Sequence, residues 1–275
     1  MQSSGTAAIM ETQSASGAVA ADGTQGIPKI VHYVWVGTRA LPDEDRRRVD
    51  AWQKIMPDWE FRRWGNDDVD FSSPFIRGAF SVRAWNRVSD YTRMDALARI
   101  GGVYLDTDVD IVRPFDPLLS NRAFLGFQTG DENPSEMVNG AVFGSVAGHW
   151  LPTAIRDHFN TKVKGHLDIG SFAGPGLLTH MLREKGLQSY RDEPFTVADV
   201  TLYPRRYFYP YWWADEFHPD CIVEDTFAVH RWAETWVAKP GLKARWKRKF
   251  FNRFGRHMPE LALYVTRAVA RRAAS

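Results

Sequence analysis

Between Gly101 and Val112 the chain reads GGVYLDTDVDIV, an apolar run in which Asp106, Asp108 and Asp110 fall at every second position. In an extended strand, residues two apart point to the same side. The three carboxylates are therefore expected on one face, with Val103, Leu105, Val109 and Ile111 on the other. Like charges this close repel, and burying them unpaired is costly. Any fold that contains the segment must bring its acidic face to solvent or to a cation. Hard oxygen ligands at a strand end suit Mg²⁺ or Mn²⁺, and such ions commonly bridge to a diphosphate. A solvated acidic strand end or a calcium loop also fits the spacing.

The flanking sequence places this segment in an α/β context. IPKIVHYVWVG (Ile27–Gly37) predicts a buried first strand, and DWEFRRW (Asp58–Trp64) a short second one. Between them, Leu41–Met56 predicts a helix with acids in its first turn and Pro57 as its stop. A long helix is expected over Ser81–Ile100, ended by Gly101–Gly102. Further strands are expected at RAFLGFQT, VNGAVFGSV and FTVADVTLYP, and helices near His149–Phe159 and in GPGLLTHMLREKG. YFYPYWW (Tyr207–Trp213) reads as an aromatic loop that either stacks on a ring-shaped ligand or packs the core. Alternating strand and helix signals imply a parallel or mixed sheet.

The 275 residues, 44% hydrophobic and 25% charged, suit a soluble globular protein with a sizeable core. Cys221, the single cysteine, excludes an intrachain disulfide, fits a reducing compartment and has no activating signature beside it. No apolar run reaches the roughly 18 residues that would span a membrane. Residues 1–26 are small and polar, without the pattern of a secretory signal, and read as a disordered leader. Residues 239–275 carry eleven Lys or Arg against one acid, Glu260, leaving 24 basic and 32 acidic residues before them, a net of −8. In that tail Leu242, Trp246, Phe250 and Phe254 form an apolar stripe amid the basic residues, the pattern of an amphipathic helix on an anionic membrane. Packing of the stripe on the domain is the alternative. Nucleic-acid binding is not expected, because the acidic body opposes it.

The block SDYTRMDALARIGGVYLDTDVDIV resembles the core of the DXD sugar transferases of glycosyltransferase family 32, and is similar to that of the glucosylating domains of large clostridial toxins. The match is carried by Ser89-Asp90, Arg93, Gly101-Gly102 and Tyr104-Leu105-Asp106-Thr107-Asp108. Other segments follow in the family's order: the opening strand with Trp35, VNGAVFGS around Asn139, GPGLL from Gly174, and HRWAETW over His230–Trp236. Thr235 stands where that closing element has Ser. The resemblance spans about Ile27–Trp236.

The resemblance implies a GT-A-type α/β fold with a mixed, mostly parallel central sheet and flanking helices, occupying residues 27–238. It implies retaining transfer of a hexose from a nucleotide diphosphate sugar, with UDP the first choice of nucleotide and Mn²⁺ or Mg²⁺ as cofactor. Asp106 would contact the ribose and a metal-bound water, and Asp108 the metal itself. His230, Thr235 and Trp236 would complete the metal and diphosphate site, and Trp35 would stack on the base. Asp90 and Arg93, three apart on one helix face, would grip the sugar, with an intrahelical ion pair as the plainer reading. Tyr104, Asn139 and Gly174 would line the donor and acceptor sides. Asp110 is left as a supporting carboxylate or a strand cap, and His32, His149 and His166 as structural. The acceptor would be a carbohydrate or a lipid-linked sugar in surface polysaccharide or glycolipid assembly. The expected setting is the cytoplasm, peripheral on the inner face of the cell membrane. Rival readings are a secreted effector acting on host protein, a glycoside hydrolase with paired carboxylates, and a cation-dependent carbohydrate-binding module.

Overall fold

The β-branched run at Ile30–Val34 forms β1, the acid-started segment Asp43–Ile55 forms α1, and Glu60–Trp64 forms β2. Each lies inside its predicted span and is trimmed at the ends. The computed structural model describes residues 26–162 and 174–233. Most of the expected leader, the basic tail, His166, Thr235 and Trp236 lie outside the described residues.

The helix expected over Ser81–Ile100 starts four residues late, and a separate helix that was not expected precedes it. Pro74–Ser81 forms α2, opened by Ser73, whose hydroxyl accepts from the Ile76 amide, and Trp85–Ile100 forms α3. The break falls at Arg83, whose φ is 57°, a left-handed conformation that a helix does not contain. The predicted stop at Gly101–Gly102 holds. Both residues have positive φ, 74° and 104°, and an added Cβ would lie 2.6 Å from the Ala147 nitrogen or the Ile30 carbonyl oxygen respectively. Only glycine lets α3 turn this sharply into β3 (Gly102–Leu105).

The continuous aspartate strand expected from the sequence is likewise interrupted. β3 ends at Leu105, residues 106–108 turn, and pairing resumes in β4 (Val109–Ile111) in a separate two-stranded sheet. Beyond it come β5 (Ala123–Phe127), β6 (Val138–Ser145), α4 (Trp150–Lys162) and α5 (Pro175–Glu184). The single strand expected at FTVADVTLYP is a hairpin, β7 (Phe195–Val197) and β8 (Val200–Tyr203), turning through Ala198 and Asp199 at φ 45° and 69°. β9 (Ala228–His230) closes the order.

Seven strands make the central sheet, in the order β2-β1-β3-β6-β5-β8-β7. All but β6 and β7 run the same way, so the sheet is mixed and mostly parallel as expected. β4 pairs antiparallel with β9, with Val109 opposite His230. Strand alternation sends side chains to two cores. Tyr104 joins the core under α2–α5, whereas Val103 and Leu105 join the core beneath α1 and the β4–β9 ribbon.

His32, fully buried on β1, ties these layers together. Trp64 of β2 donates its indole N–H to Nδ1 at 3.2 Å. Nε2 therefore carries the proton and donates to the Gly101 carbonyl at 2.7 Å. Burial lowers its pKa to about 4. His149, buried before α4, is also lowered to about 4 by burial. Both histidines are structural, as the sequence suggested.

Candidate active site

β1 and β3 run parallel, and their carboxyl ends bring Trp35 and the 106–108 turn to the same edge of the sheet. In open α/β sheets this edge is where ligands bind. The break after Leu105 separates the three aspartates. Asp106 and Asp108 converge with His230 of β9, so that one ligand atom from each lies within 4.8 Å of the others. Asp110 does not join them, and the single acidic face expected from the spacing is not formed. Its carboxylate pairs instead with Arg48 Nε at 2.9 Å and Arg231 Nε at 2.7 Å.

His230 Nε2 faces Asp108 at 3.3 Å and Asp106 at 4.0 Å, while its Nδ1 is buried without a partner. Burial alone disfavours a proton on His230, but the Asp108 charge and hydrogen bond, with Asp106 further off, outweigh it and raise the pKa. Burial likewise works against ionised Asp108, yet His230 and the Ala233 amide hold its carboxyl below the ordinary value. Ala233 N donates to Asp108 Oδ2 at 2.7 Å, and Arg231 N to the Asp108 carbonyl at 2.9 Å. The segment after β9 is thus fastened directly to the turn. Two carboxylate oxygens and an imidazole nitrogen form a donor set that fits a divalent cation, and His230 Nε2 already points at both carboxylates.

Asp106 continues the parity of Tyr104 and so turns towards α3. It accepts a hydrogen bond from Tyr104 Oη at 2.7 Å and faces Arg93 Nη2 at 3.3 Å. Arg93 also pairs with Asp90 at 3.1 Å, donates to the Gly140 carbonyl at 3.2 Å and lies over the Tyr104 ring. Asp90 has a second partner, Arg87, at 3.3 Å. Burial pushes the Asp90 pKa up against the pull of Arg93 and Arg87. Asp90 and Arg93 therefore form the ion pair, and the same guanidinium reaches the DXD turn. Tyr104 is buried with its hydroxyl committed to Asp106 and near Ser89.

Trp35 is half-buried just past β1, with its indole N–H donated to the Arg39 carbonyl at 2.8 Å. Asn139 on β6 bonds Gln128 and the Ala141 amide. Gly174 stands before α5 with a φ of 59° and nothing within 4 Å of an added Cβ. The aromatic loop divides. Phe208 and Tyr209 are core residues, Tyr209 Oη bridging Asn139 O and Val142 N at 3.1 Å each, while Tyr211, Trp212 and Trp213 are half-buried.

Trp232 was not singled out by sequence. Its ring packs edge-on to His230, with centroids 4.2 Å apart, and its φ of 56° is left-handed. The aromatic two residues after a candidate ligand was the available signal. Thr107, the residue between the two aspartates, was part of the matched motif but was given no role of its own. Its hydroxyl bonds the buried Asp45 of α1 at 3.3 Å.

Residues 42–125 match a family model described as glycosyltransferase sugar-binding region containing DXD motif. The rat (Rattus norvegicus) lactosylceramide 4-alpha-galactosyltransferase is 30% identical over 158 residues, 53% of this chain and 40% of that protein. Inositol phosphoceramide mannosyltransferase 1 of Schizosaccharomyces pombe is 27% identical over 107 residues, 36% of this chain and 33% of the relative. The chain thus spans less than half the length of either. Among solved structures, the PaToxG glycosyltransferase aligns over 59% of this chain and 71% of its own, at 17% identity and TM-score 0.48. The galactosyltransferase LgtC in complex with donor and acceptor sugar analogs aligns over 82% and 94%, at 13% identity and TM-score 0.45. The part of the chain that builds the Asp106–Asp108 turn therefore matches the DXD glycosyltransferase sugar-binding family, the family its motif resembles.

Proposed function

We propose that this chain is a metal-dependent retaining glycosyltransferase on a GT-A-type scaffold, moving a hexose from a nucleotide diphosphate sugar to a hydroxyl acceptor. The observation that carries the reading is the convergence of Asp106, Asp108 and His230 at the carboxyl edge of the sheet. Asp106, Asp108 and His230 would hold Mn²⁺, with Mg²⁺ as the substitute; the family resemblance adds Thr235 and Trp236, which lie outside the described residues. A cation bound there supplies charge neutralisation for the departing diphosphate. Arg93 adds a fixed positive charge beside Asp106, and Asp90 holds that guanidinium in place. Trp35 stacks on the base, UDP-linked donors being preferred. Retention of configuration is inferred from the family resemblance.

Two relatives carry ceramide lipids in their names, which favours a lipid-linked sugar as acceptor here. The basic stripe of residues 239–275 fits docking on an anionic membrane, and the cytoplasmic face is the setting that places both together. Among the described residues no helix is long and apolar enough to cross a membrane.

A panel of nucleotide sugars, each with and without Mn²⁺, tests the reaction. A donor at about a hundred times its Kd stabilises a protein by about 2.7 kcal/mol. The expected result is a Mn²⁺-dependent rise in Tm with one or a few donors, and release of the nucleoside diphosphate. If no nucleotide sugar produces either signal, the transferase reading falls.

A further inference from the structure

Asp110 leaves the metal group for a cluster of charges on the other side of the turn. Arg48 lies at its centre, on α1, with a side chain only 10% exposed. It meets Asp45 Oδ1 at 2.7 Å, Asp110 Oδ1 at 2.9 Å, and Glu44. The second oxygen of Asp110 takes Arg231, the residue after β9, and the second oxygen of Asp45 takes the Thr107 hydroxyl. One turn further along α1, Trp52 donates its indole N–H to the Val109 carbonyl at 2.8 Å. Asp45, Arg48 and Trp52 are spaced three and four apart and share a helix face. That face contacts Thr107, Val109 and Asp110, leaving between them Asp108, whose own bonds go to His230, Arg231 and Ala233.

We propose that Arg48, bridging Asp45 and Asp110, is a positioning residue that holds the 106–108 turn and the His230 strand in the geometry a divalent cation requires. The proposal rests on the metal reading of the site. Its reach comes from connectivity. Through Asp45 and Thr107, Arg48 fixes the residue between the two aspartates. Through Asp110 and Arg231, it fixes the residue beside His230. The planar guanidinium suits this task because it presents several donors in one rigid fork. A lysine offers a point charge and cannot reproduce that geometry.

Simple electrostatics and positioning predict opposite signs, which makes the proposal testable. Arg48 is a cation close to a cation site, and Asp45 and Asp110 are anions that it neutralises. On charge alone, Arg48→Met should tighten Mn²⁺ binding. Positioning predicts that it weakens. The measurement is Mn²⁺ titration of the full chain with UDP present, following free Mn²⁺ by its paramagnetic resonance signal. It is paired with the Mn²⁺ dependence of nucleotide-sugar turnover. Arg48→Met is expected to raise the Mn²⁺ concentration for half-saturation about tenfold or more, with a smaller fall in kcat at saturating metal. Arg48→Lys should recover only part of the affinity. Thr107→Val, which removes one hydroxyl at nearly constant volume, should move half-saturation the same way and supplies the reading if Arg48→Met does not fold. Unchanged or tighter Mn²⁺ binding by a folded Arg48→Met, or by Thr107→Val in its place, overturns the proposal. Absence of Mn²⁺ binding by the wild-type protein overturns the metal reading, and the positioning role with it.

Discussion

Because pairing stops at Leu105 and resumes at Val109, three equally spaced aspartates acquire three sets of partners. Asp106 turns to Tyr104 and Arg93, Asp108 to His230 and Ala233 N, and Asp110 to Arg48 and Arg231. Substitutions are expected to rank accordingly. Asp108→Asn should lower turnover by at least about a hundredfold, the scale of losing one preorganised electrostatic group. Asp106→Asn should come close to it, and Asp110→Asn should cost nearer tenfold through the positioning of its neighbours. Steady-state rates at saturating Mn²⁺ check the order, and wild-type turnover by Asp108→Asn would remove this aspartate from the site. The chemistry of Asp106 and Asp108 was legible because carboxylates two apart after an apolar run have few stable surroundings. The departure of Asp110 was not. It depends on Arg48, 62 residues earlier in the chain, and no local spacing encodes a long-range ion pair.

Element boundaries followed local chemistry closely where Gly or Pro set them, as at Gly101–Gly102 and Gly174–Pro175, whereas the Ser73 cap that opens α2 was not read. Local chemistry was less informative where a non-glycine residue takes a left-handed conformation. Arg83 divides α2 from α3, and Ala198–Asp199 turns β7 into β8, and neither bears a turn signal strong enough to read. Buried polar ties between elements carry a pH consequence. His32 joins β1, β2 and the end of α3, and His149 lies at the start of α4, each with a pKa lowered to about 4 by burial. Between that value and the unfolded value of about 6.5, the unfolded chain binds more protons. Stability therefore falls as the pH drops through this window, by about 2 kcal/mol for His32 between pH 7 and pH 5. Asp45 opposes the trend. Burial raises its carboxyl to about 6, so the native state binds the extra proton there and gains stability as the pH falls towards about 4. In urea unfolding at pH 7 and pH 5, His32→Gln is expected to lose less stability between the two conditions than wild type. An identical loss would mean that His32 does not titrate on unfolding.

The molecule as a whole combines an acidic body with a basic end, −8 before residue 239 and eleven basic residues from Lys239 onward. If that end docks the catalytic edge to a membrane, a chain cut at Lys239 should keep Mn²⁺-dependent donor hydrolysis and lose co-sedimentation with anionic liposomes. Added salt should weaken binding of the uncut chain, since the Debye length shrinks to about 8 Å at 0.15 M. Insolubility of the cut chain would instead assign the apolar stripe to the core. The pairing of β4 with β9 has a consequence of another kind. Val109 finds its partner in His230, so a chain emerging from the ribosome exposes Asp106 and Asp108 long before the imidazole that converges with them has been made. Closure across so many residues is slow in general. During that interval Asp106 already has Arg93 and Tyr104 within reach, whereas Asp108 waits for its partners at and beyond β9. The three-residue cluster is therefore complete only once β9 has been made, so a chain that ends before Ala228 retains the motif without the imidazole.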